Sequence, residues 1–316
     1  MGTRAVVLSE FGGPEVLTLR EVERRAPGPG EVLVRVHASG TNPVEAKIRQ
    51  GVAIPDLPLP TVLGGDVSGV VEEVGDGVSD LDVGDEVYYT PELTSRSGSY
   101  ADHAVASAAI VAHKPRNLGH AEAAAIPLAG GTAWEAIVRR LAVRPGETVL
   151  VHAGAGGVGS FAVQFAVAAG ARVLATAGPD NQGLLRELGA VPIDYTSEDP
   201  VEVALDHTGG DGVDAVLDLL GGENVVASAA ATRPFGRLAT VLAPAGELTP
   251  LYQRNQQLHG IMLTRERDRL TEMTPLFERG RVRPVVAEVL GLEDVRRAHE
   301  RLDSGHGTGK IVLRTA

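Results

Sequence analysis

Hydrophobic and polar positions along this chain fall into two textures. From residue 4 to about 115, short β-branched runs at 4–8, 31–37, 69–74, 85–89 and 104–113 are broken by glycine and proline. Strands at this spacing predict a compact β-rich domain or irregular barrel. Charged and apolar residues interleave in Glu31-Val-Leu-Val-Arg-Val-His37, the mark of a half-buried strand. Around Gly119 the texture changes. Residues 120–143 are alanine-rich and predict helix, interrupted near Gly130-Gly131. Strands then follow at 148–152, 171–176, 192–194, 214–217, 237–242 and 258–263, with helices at 158–169 and 182–188 among the intervening segments. Strands alternating with helices imply parallel pairing in a doubly wound sheet.

The tail is mixed, with helices predicted at 267–279 and 292–302 and a strand at 310–313. A closing strand after a complete α/β unit is expected to return to the first domain. The fold class is therefore α/β, with a β-rich domain of residues 1–120 and 265–316 and an inserted doubly wound domain of residues 121–264.

Composition narrows the chemistry. A chain of 316 residues suits about two domains, and 43% hydrophobic with 22% charged residues is ordinary for a globular protein. The formal charge of -12 argues against a nucleic-acid or anionic-membrane partner. Cysteine is absent, which removes disulfides, thiol nucleophiles and thiolate metal sites together and fits a cytoplasmic setting. The opening residues lack a signal-peptide profile, and no run approaches the roughly 20 apolar residues of a membrane span.

The strongest motif is Val149-Leu-Val-His-Ala-Gly154-Ala155-Gly156-Gly157-Val158-Gly159. It follows a strand, opens a helix and fits G-x-G-x-x-G at Gly154, Gly156 and Gly159. Each glycine has a mechanical reason: a tight turn, bare backbone against a pyrophosphate, and close helix–strand packing. The helix N-terminus adds unpaired N–H groups and a positive dipole end. A purely structural turn is the competing reading. NAD enzymes place an acid at the end of the second strand to bond the ribose 2′-hydroxyl. Here that strand ends in Thr176-Ala177-Gly178, small and neutral, which favours NADP(H). Arg172, Arg186 and the phenol of Tyr195 are the candidate phosphate partners.

Several further motifs run in order along the chain: Phe11-Gly-Gly-Pro-Glu-Val-Leu17, Gly40-Thr-Asn-Pro-Val-Glu-Ala-Lys47, Leu63-Gly-Gly-Asp-Val-Ser-Gly69, Val83-Gly-Asp-Glu-Val87 and Gly98-Ser-Tyr-Ala101. Ile126-Pro-Leu-Ala-Gly-Gly-Thr132-Ala-Trp134, the glycine turn and the terminal Gly309-Lys-Ile-Val-Leu313 complete the series. In this order they resemble the medium-chain dehydrogenase/reductase superfamily, specifically its zeta-crystallin-like, zinc-free quinone oxidoreductase branch.

The resemblance implies a GroES-like catalytic domain around a Rossmann domain, with the cofactor in the cleft between and a homodimer formed through edge strands around residues 258–263. Where zinc members of the superfamily carry metal ligands, this sequence has Asn42, Gly65 and Leu128, none an ordinary zinc ligand. The implied reaction is hydride delivery from NADPH to a small-molecule quinone or enone. Asn42 is a candidate donor to a substrate oxygen or the nicotinamide ribose, against a cap for the turn before Pro43. Lys47 is a candidate donor to a developing enolate, against a solvated lysine, with Glu45 as its ion-pair partner. Thr132, Leu219, Leu220, Val241, Leu242 and Lys310 are implied on the cofactor side, and Tyr195 matches the family's phosphate-side tyrosine. A trans-acting enoyl-thioester reductase and a nucleotide-binding protein without turnover remain as alternatives.

Overall fold

The structure, a computed structural model, describes residues 2–92 and 97–315. It divides into two compact units, Met1–Ala129 with Thr264–Gly280 and Pro284–Ala316, and Gly130–Leu263 with Arg281–Arg283.

The first unit begins with β1 (Gly2–Leu8), β2 (Leu17–Glu23), β3 (Glu31–Gly40) and α1 (Pro43–Arg49). It continues with β4 (Thr61–Val62), β5 (Val67–Val74), β6 (Glu86–Tyr89), β7 (His103–Ser107), β8 (Ala112–His113) and α2 (His120–Ala124). The helical break in the alanine-rich stretch lies at Ala125-Ile126, ahead of Pro127, and not at Gly130-Gly131. Those two glycines sit inside α3 (Pro127–Trp134), which continues as a π-helical turn over Glu135–Arg140. Proline at a first helical turn is well placed because its missing N–H has no partner there anyway.

The second unit holds β9 (Thr148–Val151), α4 (Gly157–Ala168), β10 (Arg172–Ala177), α5 (Gln182–Glu187) and β11 (Val191–Asp194). α6 (Pro200–His207), β12 (Val213–Asp218), α7 (Glu223–Ala231), β13 (Thr232–Thr240), α8 (Thr249–Gln253) and β14 (Gln257–Gly260) follow. All six strands pair in parallel, in the order β11-β10-β9-β12-β13-β14. Counted from β9, this is the 3-2-1-4-5-6 order of a Rossmann sheet. Leu150, Leu174, Ile193, Val216 and Leu238 form its core. α4 buries Phe161, Val163 and Phe165. Each large apolar side chain so buried contributes about 1.5–3 kcal/mol. β13 starts earlier than the pattern suggests, because Phe235 at φ 60 lets Thr232-Arg-Pro-Phe-Gly236 bulge while still pairing.

The chain returns to the first unit through α9 (Arg267–Glu278), β15 (Val286–Gly291), α10 (Val295–Asp303) and β16 (Lys310–Arg314). β16 pairs β15 in parallel and β3 antiparallel, joining a sheet in the order β15-β16-β3-β5-β6-β8, with β7 also on β3. The half-buried alternation expected of β3 is not kept: Val32, Leu33 and Val34 are all buried. Register shifts against β5 break the period, and β3 lies between neighbours rather than at an edge. A smaller sheet, β2-β1-β4, shares with α1 and α10 the core built on Val6, Leu8, Leu17, Ile48, Leu290 and Val295.

Candidate functional site

The glycine turn joins β9 to α4 in the second unit. Ala153 at φ 51 sharpens the turn, and its N–H donates to Thr176 Oγ1 at 3.0 Å while Gly154 N donates to Thr176 O at 2.8 Å. Thr176 thus acts as a brace between β10 and the turn. The three glycines have different duties. A Cβ on Gly159 would stand 2.1 Å from Ala153 O, and one on Gly154 would stand 2.8 Å from the Ala175 Cβ, so both allow strand and helix to touch. A Cβ on Gly156 would meet only Ala153 O, at 3.3 Å. Bare backbone at the cap of a 12-residue helix is what a diphosphate requires, so Gly154 to Gly159, with Ala155, Gly157 and Val158, fit a dinucleotide.

Beyond β10, Ala177 and Gly178 are followed by exposed Asp180. The Tyr195 phenol comes within 3.8 Å of where a Cβ on Gly178 would be and is 55% exposed, so a hydroxyl is on offer at the end of that strand. Gln182 Nε2 donates to Ala177 O at 2.9 Å and to the carbonyls of Gly178 and Ile193 at 3.3 Å, closing the loop on itself. Arg172 is removed as a phosphate partner. It starts β10, about 16 Å from Ala177 at the usual rise per residue, and its guanidinium is held by His207 Nδ1 at 2.7 Å. Arg186 is exposed on α5. Leu219 and Leu220 follow β12 and Val241 and Leu242 follow β13; Leu220 and Leu242 are exposed. Thr132 is buried in α3. His152, before the turn, is buried with Nε2 3.0 Å from Ser228 Oγ, and burial lowers its pKa, so it serves packing.

The first unit contains a buried polar cluster around Asn42, the residue that caps α1. The Asn42 N–H donates to Glu45 Oε2. Both amide protons of its side chain are also committed, to Glu45 Oε1 at 3.1 Å and Asp66 Oδ2 at 2.9 Å. Lys310, only 4% exposed, donates to Asn42 Oδ1, to Thr41 O at 2.7 Å and to Asp66 Oδ2 at 3.2 Å. An ammonium has three protons, and these acceptors take all of them. Asp66 Oδ1 further accepts from Leu128 N at 2.6 Å and Thr90 Oγ1 at 3.4 Å. The Tyr100 hydroxyl donates to Glu45 Oε2 at 3.3 Å and lies 3.2 Å from His299 Nε2. Glu45 and Asp66 are fully buried, and burial raises the pKa of both; the Glu45 carboxyl is pushed up to about 7.

This geometry corrects the expected pairing of Glu45 with Lys47. Glu45 points inward to Asn42 and Tyr100, whereas Lys47 lies on the exposed face of α1. It also makes Asn42 an internal hub, whose donors would have to exchange partners before reaching any substrate. Asp66, Tyr100 and His299 went unread in the sequence. The Asn-x-x-Glu spacing of a capping box was the signal for Glu45, and an acid inside Leu63-Gly-Gly-Asp-Val was the signal for Asp66.

Comparison with known proteins gives the same picture. The alcohol dehydrogenase GroES-like domain model matches residues 28–116, and the zinc-binding dehydrogenase model matches residues 188–313. The chain is 34% identical to the human quinone oxidoreductase over 322 residues, spanning 98% of this chain and 97% of that one. It belongs to the medium-chain dehydrogenase/reductase superfamily, in the quinone oxidoreductase-like branch. Within the superfamily it is also 37% identical to the chloroplastic NADPH-dependent alkenal/one oxidoreductase of Arabidopsis thaliana, covering 98% of this chain and 79% of that one. A crystal structure of an NAD-dependent alcohol dehydrogenase superposes with a TM-score of 0.94 at 38% identity, over 99% of this chain and 100% of the other.

The superfamily's zinc members prompt a fit test for a metal. At the positions matched to their ligands, Gly65 has no side chain, Leu128 offers a backbone N–H to Asp66, and Asn42 is bonded to two carboxylates and an ammonium. The residues present do not fit a catalytic zinc. Among the described residues there is no group of three or more histidines and acids placed to hold a metal, and no helix is long and apolar enough to cross a membrane.

Proposed function

We propose that this chain reduces quinones or α,β-unsaturated carbonyls with NADPH, by direct hydride transfer and without a metal. The observation that carries the reading is the bare backbone of Gly156, at the head of a buried helix in a 3-2-1-4-5-6 parallel sheet. When bound there, the cofactor supplies the hydride. The neutral end of β10 and the Tyr195 phenol support NADPH over NADH. The alkenal/one oxidoreductase relative is itself named for NADPH.

The division of labour follows the branch. The first unit, with Met1–Ala129, serves the acceptor, and the second, with Gly130–Leu263, holds the cofactor through the glycine turn, Thr176, Ala177 and Tyr195. Thr132, Leu219, Leu220, Val241 and Leu242 line the nicotinamide side in this reading. Lys310 acts there indirectly, its protons being spent on Thr41, Asn42 and Asp66. Lys47, exposed on α1, is the donor we assign to the developing enolate oxygen, and Asn42 is a held scaffold beside the acceptor. An electrophilic enone or quinone needs less polarisation than an alcohol would. The exposed edge strand β14 is the surface we assign to homodimer formation.

The test is to mix the protein, NADPH and 9,10-phenanthrenequinone or a simple enone and to follow the dihydronicotinamide absorbance. Acceptor-dependent loss of NADPH supports the reading. Binding without consumption across a broad acceptor panel would favour a non-catalytic nucleotide-binding protein. Consumption only with enoyl thioesters would move the substrate class.

A further inference from the structure

The cluster around Asn42 holds more acid than base. Glu45 and Asp66 are both 0% exposed, and the cation among them, Lys310, is bonded to Asp66 and reaches Glu45 only through Asn42. The groups facing Glu45 are Asp66 at the head of β5, Lys310 in β16 and Tyr100 ahead of β7. Beyond Tyr100 lie His299 of α10 and Arg49 of α1. Arg49 turns its guanidinium to Gly12 O at 3.0 Å and to Asp303 of α10 at 2.6 Å. Two carboxylates against one ammonium leave a dry site one negative charge in excess, and a buried unpaired charge is normally removed by binding a proton. Asp66 holds the direct ammonium bond and the Leu128 N–H, so Glu45 is where that proton belongs.

We propose that Glu45, Tyr100 and His299 form a buried chain that stores one proton, and that Glu45, by holding Asn42 against Asp66 and Lys310, is a positioning residue of the reductase; this rests on the function proposed above. The chain has two directions. With Glu45 ionised, the Tyr100 hydroxyl donates to Glu45 Oε2 and His299 Nε2–H donates to Tyr100. With Glu45 protonated, its acid O–H donates to Tyr100 Oη, the phenol donates to His299 Nε2, and the imidazole carries its proton on Nδ1. The step balances as a relay: Nδ1 takes up one proton, the Nε2 proton passes to Tyr100 Oη, and the phenol proton passes to Glu45 Oε2.

His299 is neutral in both states. Burial foremost, with Arg49 second, lowers its pKa to about 3, so only its tautomer changes. Its Nδ1 has no hydrogen-bond partner among the described residues. The protonated state therefore strands a buried N–H, which opposes the gain from discharging Glu45. That opposition, with Glu45 raised to about 7 mainly by burial, puts the switch within ordinary pH. For a reduction that builds negative charge on the acceptor, the protonated, charge-balanced cluster is the competent form.

The experiment is long-range proton–nitrogen NMR of the full-length, histidine-labelled protein, with the His299 signal assigned by its loss in His299→Gln. The wild type should pass from the Nδ1–H to the Nε2–H tautomer as pH rises through about 7. Tyr100→Phe should fix one tautomer throughout, and Glu45→Gln supplies the same comparison should that variant fail to fold. In turnover, kcat/KM for the acceptor should fall about tenfold on the alkaline side of the same midpoint, and Glu45→Gln should flatten that limb with KM for NADPH unchanged. A single His299 tautomer in the wild type across this range overturns the proposal whatever the turnover. A switching tautomer in a protein that reduces no acceptor keeps the chain and removes the reductase.

Discussion

The Glu45 carboxylate fills the space that a side chain on Gly65 would need: a Cβ there would lie 2.2 Å from Glu45 Oε1. At the position that the resemblance matches to a zinc ligand there is no side chain, and the carboxylate of Glu45 from α1 occupies the space. Gly65→Ala should therefore cost about 1–3 kcal/mol through overpacking and displacement of Glu45. Denaturant unfolding would register it. In a double-mutant cycle with Glu45→Ala, the penalty of the alanine at 65 should shrink, since the clashing oxygen is gone.

Lys310 and Asp66 are a buried ion pair in which neither partner reaches solvent, with side chains 4% and 0% exposed. Removing one partner of such a pair is far more damaging than replacing both. Lys310→Met should destabilise by about 3–5 kcal/mol, and adding Asp66→Asn should recover part of the loss. If the double variant were no more stable than Lys310→Met, the pairing would not be what holds β16 to this region.

A second titrating pair lies elsewhere in the first unit. His37 of β3 stacks on His120 of α2 with ring centroids 4.4 Å apart. His120 Nδ1 lies 2.8 Å from Ser68 Oγ and its Nε2 lies 3.2 Å from Glu86 Oε1. Burial first, then His37, lowers the His120 pKa to about 4, and burial lowers that of His37 as well. The folded state thus binds fewer protons than the unfolded one between about 6.5 and 4, so stability from this pair is present above 6.5 and lost as pH falls through that window. Glu45 has the opposite sign: raised from 4.5 to about 7, it contributes stability at low pH that is lost as pH rises to 7. Between about 4.5 and 6.5 the two slopes oppose, so there Glu45→Gln should leave a melting temperature that rises with pH and His120→Gln one that falls with pH.

The two glycines that end the phosphate turn should separate folding from binding. Gly159→Ala places a Cβ 2.1 Å from Ala153 O and should lower the melting temperature. Gly156→Val puts its Cβ 3.3 Å from Ala153 O, a tight contact but far milder than that at Gly159, at φ -74 that any residue adopts, and should lower the melting temperature less while covering the backbone a diphosphate approaches. Thermal melts and NADPH titrations of both variants would check the pair of outcomes.

What the sequence made readable follows from how local each feature is. The strand–glycine-turn–helix unit was legible because its strand, turn and helix signals are contiguous, and the turn from Gly154 to Gly159 sits where the motif put it, between β9 and α4. The Asn42 cluster was not. Its members come from residues 42, 45, 66, 100, 299 and 310, and only the fold brings β16 and α10 beside α1. Glu45 was read as the ion-pair partner of Lys47, two residues away in sequence. On α1 that spacing turns the two side chains to different faces, Glu45 to Asn42 and Tyr100 and Lys47 to the exposed side. Arg172 was misread for a similar reason: nearness in sequence to the end of β10 hid that it stands at that strand's other end.

The most direct test of the central claim is a thermal-shift titration of the wild type and Gly156→Val with NADPH and NADH. A ligand that binds only the folded state stabilises it by about 2.7 kcal/mol at a hundredfold excess over Kd, which is a shift of a few degrees for a chain of this size. A saturable rise with NADPH in the wild type, absent in Gly156→Val although that variant still melts cooperatively, is the predicted result. A wild-type melting temperature indifferent to both cofactors at saturating concentration would contradict it.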